Sequence, residues 1–353
     1  MGFKKMETNF SFADISLFSS LEHNRAIKRM QQINTVVNWS RIENLIMRNY
    51  PVGKSAEGNE AYHPLLLMKC LLLQQWFSID SDPELETQIN DRISFKKFLG
   101  LSFDQPSPDH STFSRFRSRF SKDTMRMINH ELLSQFASRG LTINEGVAID
   151  ARLVQSASHP ISKDRLEEEK QKRETPEGKL DKNGNLLKFS RDLESDWTVK
   201  NDIPHYGLKE HASVDVHHGF VLATEITPAS FHDSPFLPLC VAGSCHTDHA
   251  IKKVFADKGY FGKNNREFLH LNKIADGIMT KAVRGTELTT FEKDRNKAIS
   301  KVRYIVEQYF GISHLHNNAS RARFTRMIKN AIDAMFRQMA FNLLKGTKVL
   351  KPA

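Results

Sequence analysis

Cysteine is nearly absent: Cys70, Cys240 and Cys245 are the only ones in 353 residues. That excludes a disulfide framework and fits a reducing compartment. No apolar run is long enough to cross a bilayer, which takes ~20 residues. The strongest, residues 64–73, is interrupted by Lys69 and reads as a buried helix. The first residues carry Lys4, Lys5 and Glu7 where a secretory signal would be apolar. A membrane partner is therefore not expected. There is no internal repeat and no nucleophile-elbow motif of the serine hydrolases. Acidic residues are also short: 41 Asp and Glu against 51 Lys and Arg give a net charge of +10 and a pI near 9.4. A basic surplus of that size favours a polyanionic partner, most simply nucleic acid.

What is present is globular, with 39% hydrophobic and 26% charged residues. Residues 1–20 show no clear period and read as a loose N-terminal arm. Residues 21–139 are helical throughout and read as an all-α domain. Ser40 and Glu43 have capping-box spacing, Pro64 suits a first helical position, and Asp82-Pro83 opens a helix ending at Gly100. A basic helix then carries Arg115, Arg117 and Arg119, with Phe113, Phe116 and Phe120 spaced to face a core. Arginines so anchored suit a phosphate backbone, and equally a solvated basic face.

The character changes at residue 140. Residues 146–151 read as a strand. Residues 162–195 are charge-dense and read as a solvated insertion. A hairpin follows, with strands at 211–216 and 220–226 around His217-His218-Gly219. Asp233-Ser234-Pro235 has the form of a helix N-cap. Residues 253–256 form a short apolar strand, residues 264–271 a helix and residues 277–280 a strand. Thr289 and Glu292 form a second capping box, opening a long helix with Ala298, Val302, Ile305, Val306 and Tyr309 as its apolar stripe. A final helix begins near Met327, and residues 346–353 form a tail. This order predicts an α/β fold: a mixed sheet with flanking helices over 140–345, preceded by the all-α region.

Three acids stand out. Asp257 directly follows the apolar strand, Asp150 closes the run Gly146-Val147-Ala148-Ile149, and Glu307 lies on the long helix with Ser300 and Arg303 on its face. Strand ends in α/β sheets collect catalytic groups. Three carboxylates brought together repel, and Mg²⁺ or Mn²⁺ relieves that repulsion because hard cations prefer oxygen. Two such ions would serve phosphoryl transfer. Arg303, Lys258 and Tyr260 are candidate DNA contacts, with Arg303 equally a simple helix ion pair and Tyr260 equally a core aromatic. A zinc site on Cys240, Cys245, His246 and His249 fits no standard spacing. A hydrolase on His232-Asp233 lacks its nucleophile motif.

In chain order, the residues resemble DDE transposases of bacterial insertion sequences, in the family named after insertion sequence five. The likeness runs over residues 10–345. It rests on Tyr62-His63-Pro64-Leu65, the segment 108–117, Asp150, Trp197-Thr198-Val199-Lys200, the segment 205–211, the segment 227–234, Ala256-Asp257-Lys258-Gly259-Tyr260, and Arg303 with Glu307 four residues later. The resemblance implies an RNase H-like catalytic domain and two-metal strand cleavage and transfer on double-stranded DNA. It also implies Asp150, Asp257 and Glu307 as metal ligands, and recognition of the element's inverted repeats by a homodimer on paired ends. Lys200 and His314 join the expected DNA contacts, and the expected location is the bacterial cytoplasm at the nucleoid. The chain departs from the wider signature at Ser300, where a Tyr is expected, and at His314, where a Lys is expected. A nuclease that cuts without joining, and a silent DNA-binding descendant, stay open as alternatives.

Overall fold

The computed structural model describes residues 3–4, 10–20, 23–53, 60–143, 145–175, 179–180, 184, 192–245, 250–283 and 285–350. Among these, eight helices come first: α1 (Phe12–Ser20), α2 (Arg25–Val36), α3 (Trp39–Asn49), α4 (Pro64–Trp76), α5 (Asp82–Asp91), α6 (Ile93–Leu99), α7 (His110–Ser118) and α8 (Lys122–Ala137). The second part runs β1 (Gly146–Gln155), α9 (Lys163–Glu174), β2 (Asp196–Lys200), β3 (Ile203–Asp215), β4 (Val221–Pro228), α10 (Leu237–Gly243), β5 (Lys253–Ala256), α11 (Lys263–Leu271), β6 (Ala275–Ile278), α12 (Thr290–His316) and α13 (Met327–Val349).

Several expectations are corrected by local chemistry. Part of the expected loose arm is α1, held by Ser11, whose amide donates to Asp14 Oδ2 at 2.8 Å. Of the charged insertion, Lys163–Glu174 is helical, with Ser162 as its N-cap. Ser40 lies inside α3, not at its cap: the chain enters at Asn38, and Glu43 contacts His63 at 2.9 Å instead. The helix expected over 82–100 breaks at Arg92, which is extended (φ −96°, ψ 111°), giving α5 and α6. The Asp233 side chain does not cap; it pairs with Lys209 at 2.8 Å. The Thr289–Glu292 capping box forms as read, and Pro64 occupies the first turn of α4.

The sheet runs β2-β3-β1-β5-β6, with β4 also on β3. β3 is antiparallel to β1, β2 and β4, while β5 and β6 run parallel to β1 and to each other. β2 and β3 join through Asn201 and Asp202 at φ 52° and 61°. These left-handed residues make the two-residue turn whose twist suits a hairpin. Cross-strand pairing brings Lys200 opposite Ile203 at its tip.

Alternation along β1 sorts its residues between two layers. Val147 and Ile149 face the large core, which they share with Leu66, Leu73, Phe95, Phe136 and other side chains of the N-terminal helices, and with Phe336 and Leu343 of α13. Ala148 faces the other way, packing with Ala212, Val214, Val221, Val306 and Tyr309 beneath α12. α13 packs on α2, α4 and α8 as well as on β4, so one helix is common to the helical region and the sheet.

Candidate active site

The parallel register pairs Ile149 with Ala256, so Asp150 and Asp257, each the next residue, lie side by side where β5 ends. β1 continues to Gln155, so Asp150 sits in mid-strand opposite Ala212 rather than closing its run. Asp257 ends its strand as read, and its Oδ1 accepts from the Gly259 amide at 2.6 Å.

α12 crosses the Asp150 face of the sheet. Its buried stripe is Asn296, Ile299, Arg303, Val306, Tyr309 and Ser313; of the expected stripe, Val306 and Tyr309 are buried and Val302 and Ile305 half-buried, while Ala298 is exposed. Arg303 therefore does not share an outer face with Ser300 and Glu307. Its side chain turns inward, 8% exposed, and Nη2 donates to Asp150 Oδ2 at 2.6 Å. Burial pushes the Asp150 carboxyl above its ordinary pKa; Arg303 opposes that, and the nearby Asp257 charge adds to it. Glu307 lies one turn beyond Arg303 on an exposed surface of α12. Among the described residues, no three His, Cys, Asp or Glu are gathered closely enough to hold one metal ion. Two carboxylates, mutually repelling and hard in character, nonetheless suit a divalent cation. On this geometry Asp150 and Asp257 fit such an ion, and Glu307 stands apart from them.

A buried network braces this face. Glu210, fully buried on β3, pairs across the strand with Arg152, whose Nη2 donates at 2.6 Å. It also accepts from Tyr309 of α12 at 2.9 Å and lies 3.6 Å from Arg337 of α13. Burial alone would raise its pKa, but the two guanidiniums and the tyrosine hold it down at about 2. The sequence reading missed this group. The available signal was Arg152, two residues past Asp150 and so on the same face.

The expected DNA contacts divide. Lys258, Lys200, His314, Arg115 and Arg119 are exposed. His314 borders a cavity of about 250 Å³ with His205, Gln155 and Ser320. Tyr260 is a correction: its ring is 0% exposed in the main core, where it cannot meet DNA. Arg117 is another, 6% exposed and paired with Asp82. Of the zinc alternative, Cys240 is buried and its thiol pushed up to about 12 by burial, while His246 and His249 lie outside the described residues. No helix among the described residues is long and apolar enough to cross a membrane.

Comparison with known proteins addresses both regions. Residues 18–119 match a family described as a transposase domain (DUF772), and residues 144–343 match the family described as the transposase DDE domain. A curated relative, the transposase for insertion sequence element IS1106 of Neisseria meningitidis serogroup B, is 32% identical over 244 residues, which cover 67% of this chain and 78% of that protein. A solved structure, the piggyBac transposase synaptic complex with hairpin DNA, aligns with 92% of this chain and 74% of its own at 9% identity. Its TM-score of 0.41 is too low to bear on the fold. The DDE-domain match spans the whole sheet and more than half of the sequence: the chain belongs to the transposase DDE domain family.

Proposed function

We propose that this chain is the transposase of an insertion sequence, binding the element's terminal inverted repeats and cutting and joining DNA there. The observation that carries the reading is the pair Asp150 and Asp257 on neighbouring parallel strands, with Arg303 of α12 on Asp150. The strand order, an antiparallel β1-β3-β4 unit with β5 and β6 added parallel to β1, supports an RNase H-like sheet. The helical region 21–139 is then the DNA-binding and dimerisation part, and the molecule a homodimer on paired ends in the bacterial cytoplasm.

In this reading Asp150 and Asp257 would hold Mg²⁺, or Mn²⁺ in its place, and Glu307, apart from them in this structure, would complete the set for two ions once α12 brings it to the bound metal and DNA. Such ions, when bound, offset charge at phosphorus and increase the acidity of the attacking hydroxyl or water. The chain's own groups bind and orient. Asp150 and Asp257 fix the site on the rigid sheet. Arg303, released from Asp150, is placed to hold a phosphate oxygen with a planar pair of donors. Lys258, beside Asp257, and Lys200, at the hairpin tip, add charge along the backbone path, and His314 offers a ring N–H there. The chemistry is two in-line displacements. Water first breaks the phosphodiester at the element end, releasing a 3′-hydroxyl. That hydroxyl then attacks a target phosphodiester, forming the joined strand and expelling a new 3′-hydroxyl.

The test uses purified protein, Mg²⁺ and the DNA flanking its own gene, scored for cut and joined products. Asp257→Ala should reduce both products to background while DNA affinity stays within about twofold, because the basic surface remains. A variant that still cuts in Mg²⁺ removes Asp257 from the site. Cutting without joining turns the reading to a nuclease, and binding without cutting to a silent DNA-binding protein.

A further inference from the structure

A cavity of about 590 Å³ lies in the helical region, bordered by α7, the end of α3 and the start of the chain. The chain start forms a wall there. Phe3 makes a parallel bridge to Ala61, Lys4 N donates to Ala61 O at 2.7 Å, and the Phe3 ring lies 5.4 Å from that of His63. Gly53, at φ +80°, lets Phe3 in: a Cβ there would stand 2.7 Å from its ring.

Three cations line the space: Arg115 on α7, Arg119 four residues on at the C-cap of α7, and Lys4. Two of them stand over aromatic rings, Lys4 at 4.0 Å from the centre of Tyr62 and Arg119 at 5.9 Å from that of Tyr50. Neither forms an ion pair among the described residues. Of the two acids in the wall, Asp109 is committed to capping α7, its Oδ1 accepting from the Ser111 and Thr112 amides at 2.8 and 3.1 Å. It lies 3.9 Å from Arg115. Glu60 is the other. The volume falls within the ~300–1,000 Å³ of small-molecule sites. It is large enough for a nucleotide and too small for a duplex.

We propose that this cavity seats one unpaired nucleotide of the DNA substrate, its base on the Tyr62 ring in the place the Lys4 ammonium now takes, and its phosphate on Arg115, Arg119 and the displaced Lys4. Cations fix the phosphate, and a flat ring accepts any base face. The proposal rests on the reading of DNA as substrate, but not on the metal site. It gives the helical region a grip on a nucleotide that has left the duplex, distinct from the contacts of Lys200 and Lys258 along paired DNA.

The experiment measures binding of the full chain to two fluorescein-labelled probes by anisotropy: an oligothymidylate of about ten nucleotides, a length typical of single-strand sites, and a blunt duplex. Tyr62→Leu should weaken the single strand by about tenfold or more and the duplex by less than about twofold. Tyr62→Phe, which keeps the ring, should restore it. Arg119→Gln should reduce single-strand affinity and lower the steepness of its salt dependence by about one. Equal losses on both probes for Tyr62→Leu, or none on the single strand, would overturn the nucleotide site. A chain that binds neither probe would instead sink the DNA reading itself. Should the leucine variant not fold, the wild-type chain decides: an oligonucleotide carrying 2-aminopurine must lose fluorescence on binding, and unchanged fluorescence counts against stacking.

Discussion

His211 is fully buried on β3, with Nε2 3.0 Å from the Thr227 hydroxyl, Nδ1 without a hydrogen bond, and the ring stacked on Phe236. Burial drives its pKa down to about 4, with Lys209 acting the same way and Asp233, Glu225 and Glu210 opposing. The folded chain thus keeps His211 neutral where the unfolded chain, with an ordinary pKa near ~6.5, takes up a proton. Its share of the stability is complete above that pH and is lost as the pH falls towards 4. The amount is on the order of 3 kcal/mol. Urea unfolding between pH 7.5 and 4.5 should show this loss in the native chain and a shallower slope in His211→Gln. Equal slopes would remove His211 from the acid sensitivity. Residues of this kind mark the limit of reading from sequence. Asp257 was legible because an apolar strand and a glycine turn frame it. Arg303 was misplaced because an arginine on a helix reads as solvent-facing, and only the opposing carboxylate of Asp150, far away in sequence, makes its burial favourable.

At the scale of elements, the position of α12 matters most. Arg303 ties it to β1 and Tyr309 ties it to β3, and these two bonds bracket Glu307 along the helix. Glu210 is the common anchor of β1, β3, α12 and α13. Tyr309→Phe should cost about 1.5–3 kcal/mol, since it removes one hydrogen bond to a buried charge. Glu210→Ala should cost more, about 3–5 kcal/mol, by leaving Arg152 and Arg337 buried without their shared acid. Chemical denaturation of both variants checks the order, and a milder effect of Glu210→Ala would mean water reaches the two guanidiniums. Legibility at this scale was mixed. The Thr289 and Ser40 capping patterns look alike, yet only the first forms, because Glu43 has a competing partner in His63. The β1–β3–β4 meander was visible in part from alternation, whereas the full reach of β1 and β3 was not, since Asp150, Arg152, Glu210 and His211 are polar residues inside it.

At the scale of the whole molecule, sequence reading divides the chain at residue 140, where the helical pattern gives way to strands. Packing crosses that line. Phe336, Met339 and Leu343 of α13 share a core with Leu72 of α4 and Phe136 of α8. Glu225 of β4, nearly buried, pairs with both Lys122 and Arg126 of α8. No local pattern reports such partnerships, because both partners look complete within their own segments. The helical region and the sheet should therefore melt together: calorimetry of the full chain should give one cooperative transition. Two separated peaks would show that the shared core is too weak to couple them.

The position of α13 also bears on how the protein is made. It is the last described helix to leave the ribosome, yet it fills the core of helices synthesised first. Until residues near 343 emerge, Leu72, Phe136 and their neighbours lack part of their covering, so the helical region cannot finish folding during its own synthesis. A prematurely terminated chain then presents sticky surface to chaperones and proteases, and does not accumulate as a finished helical fragment.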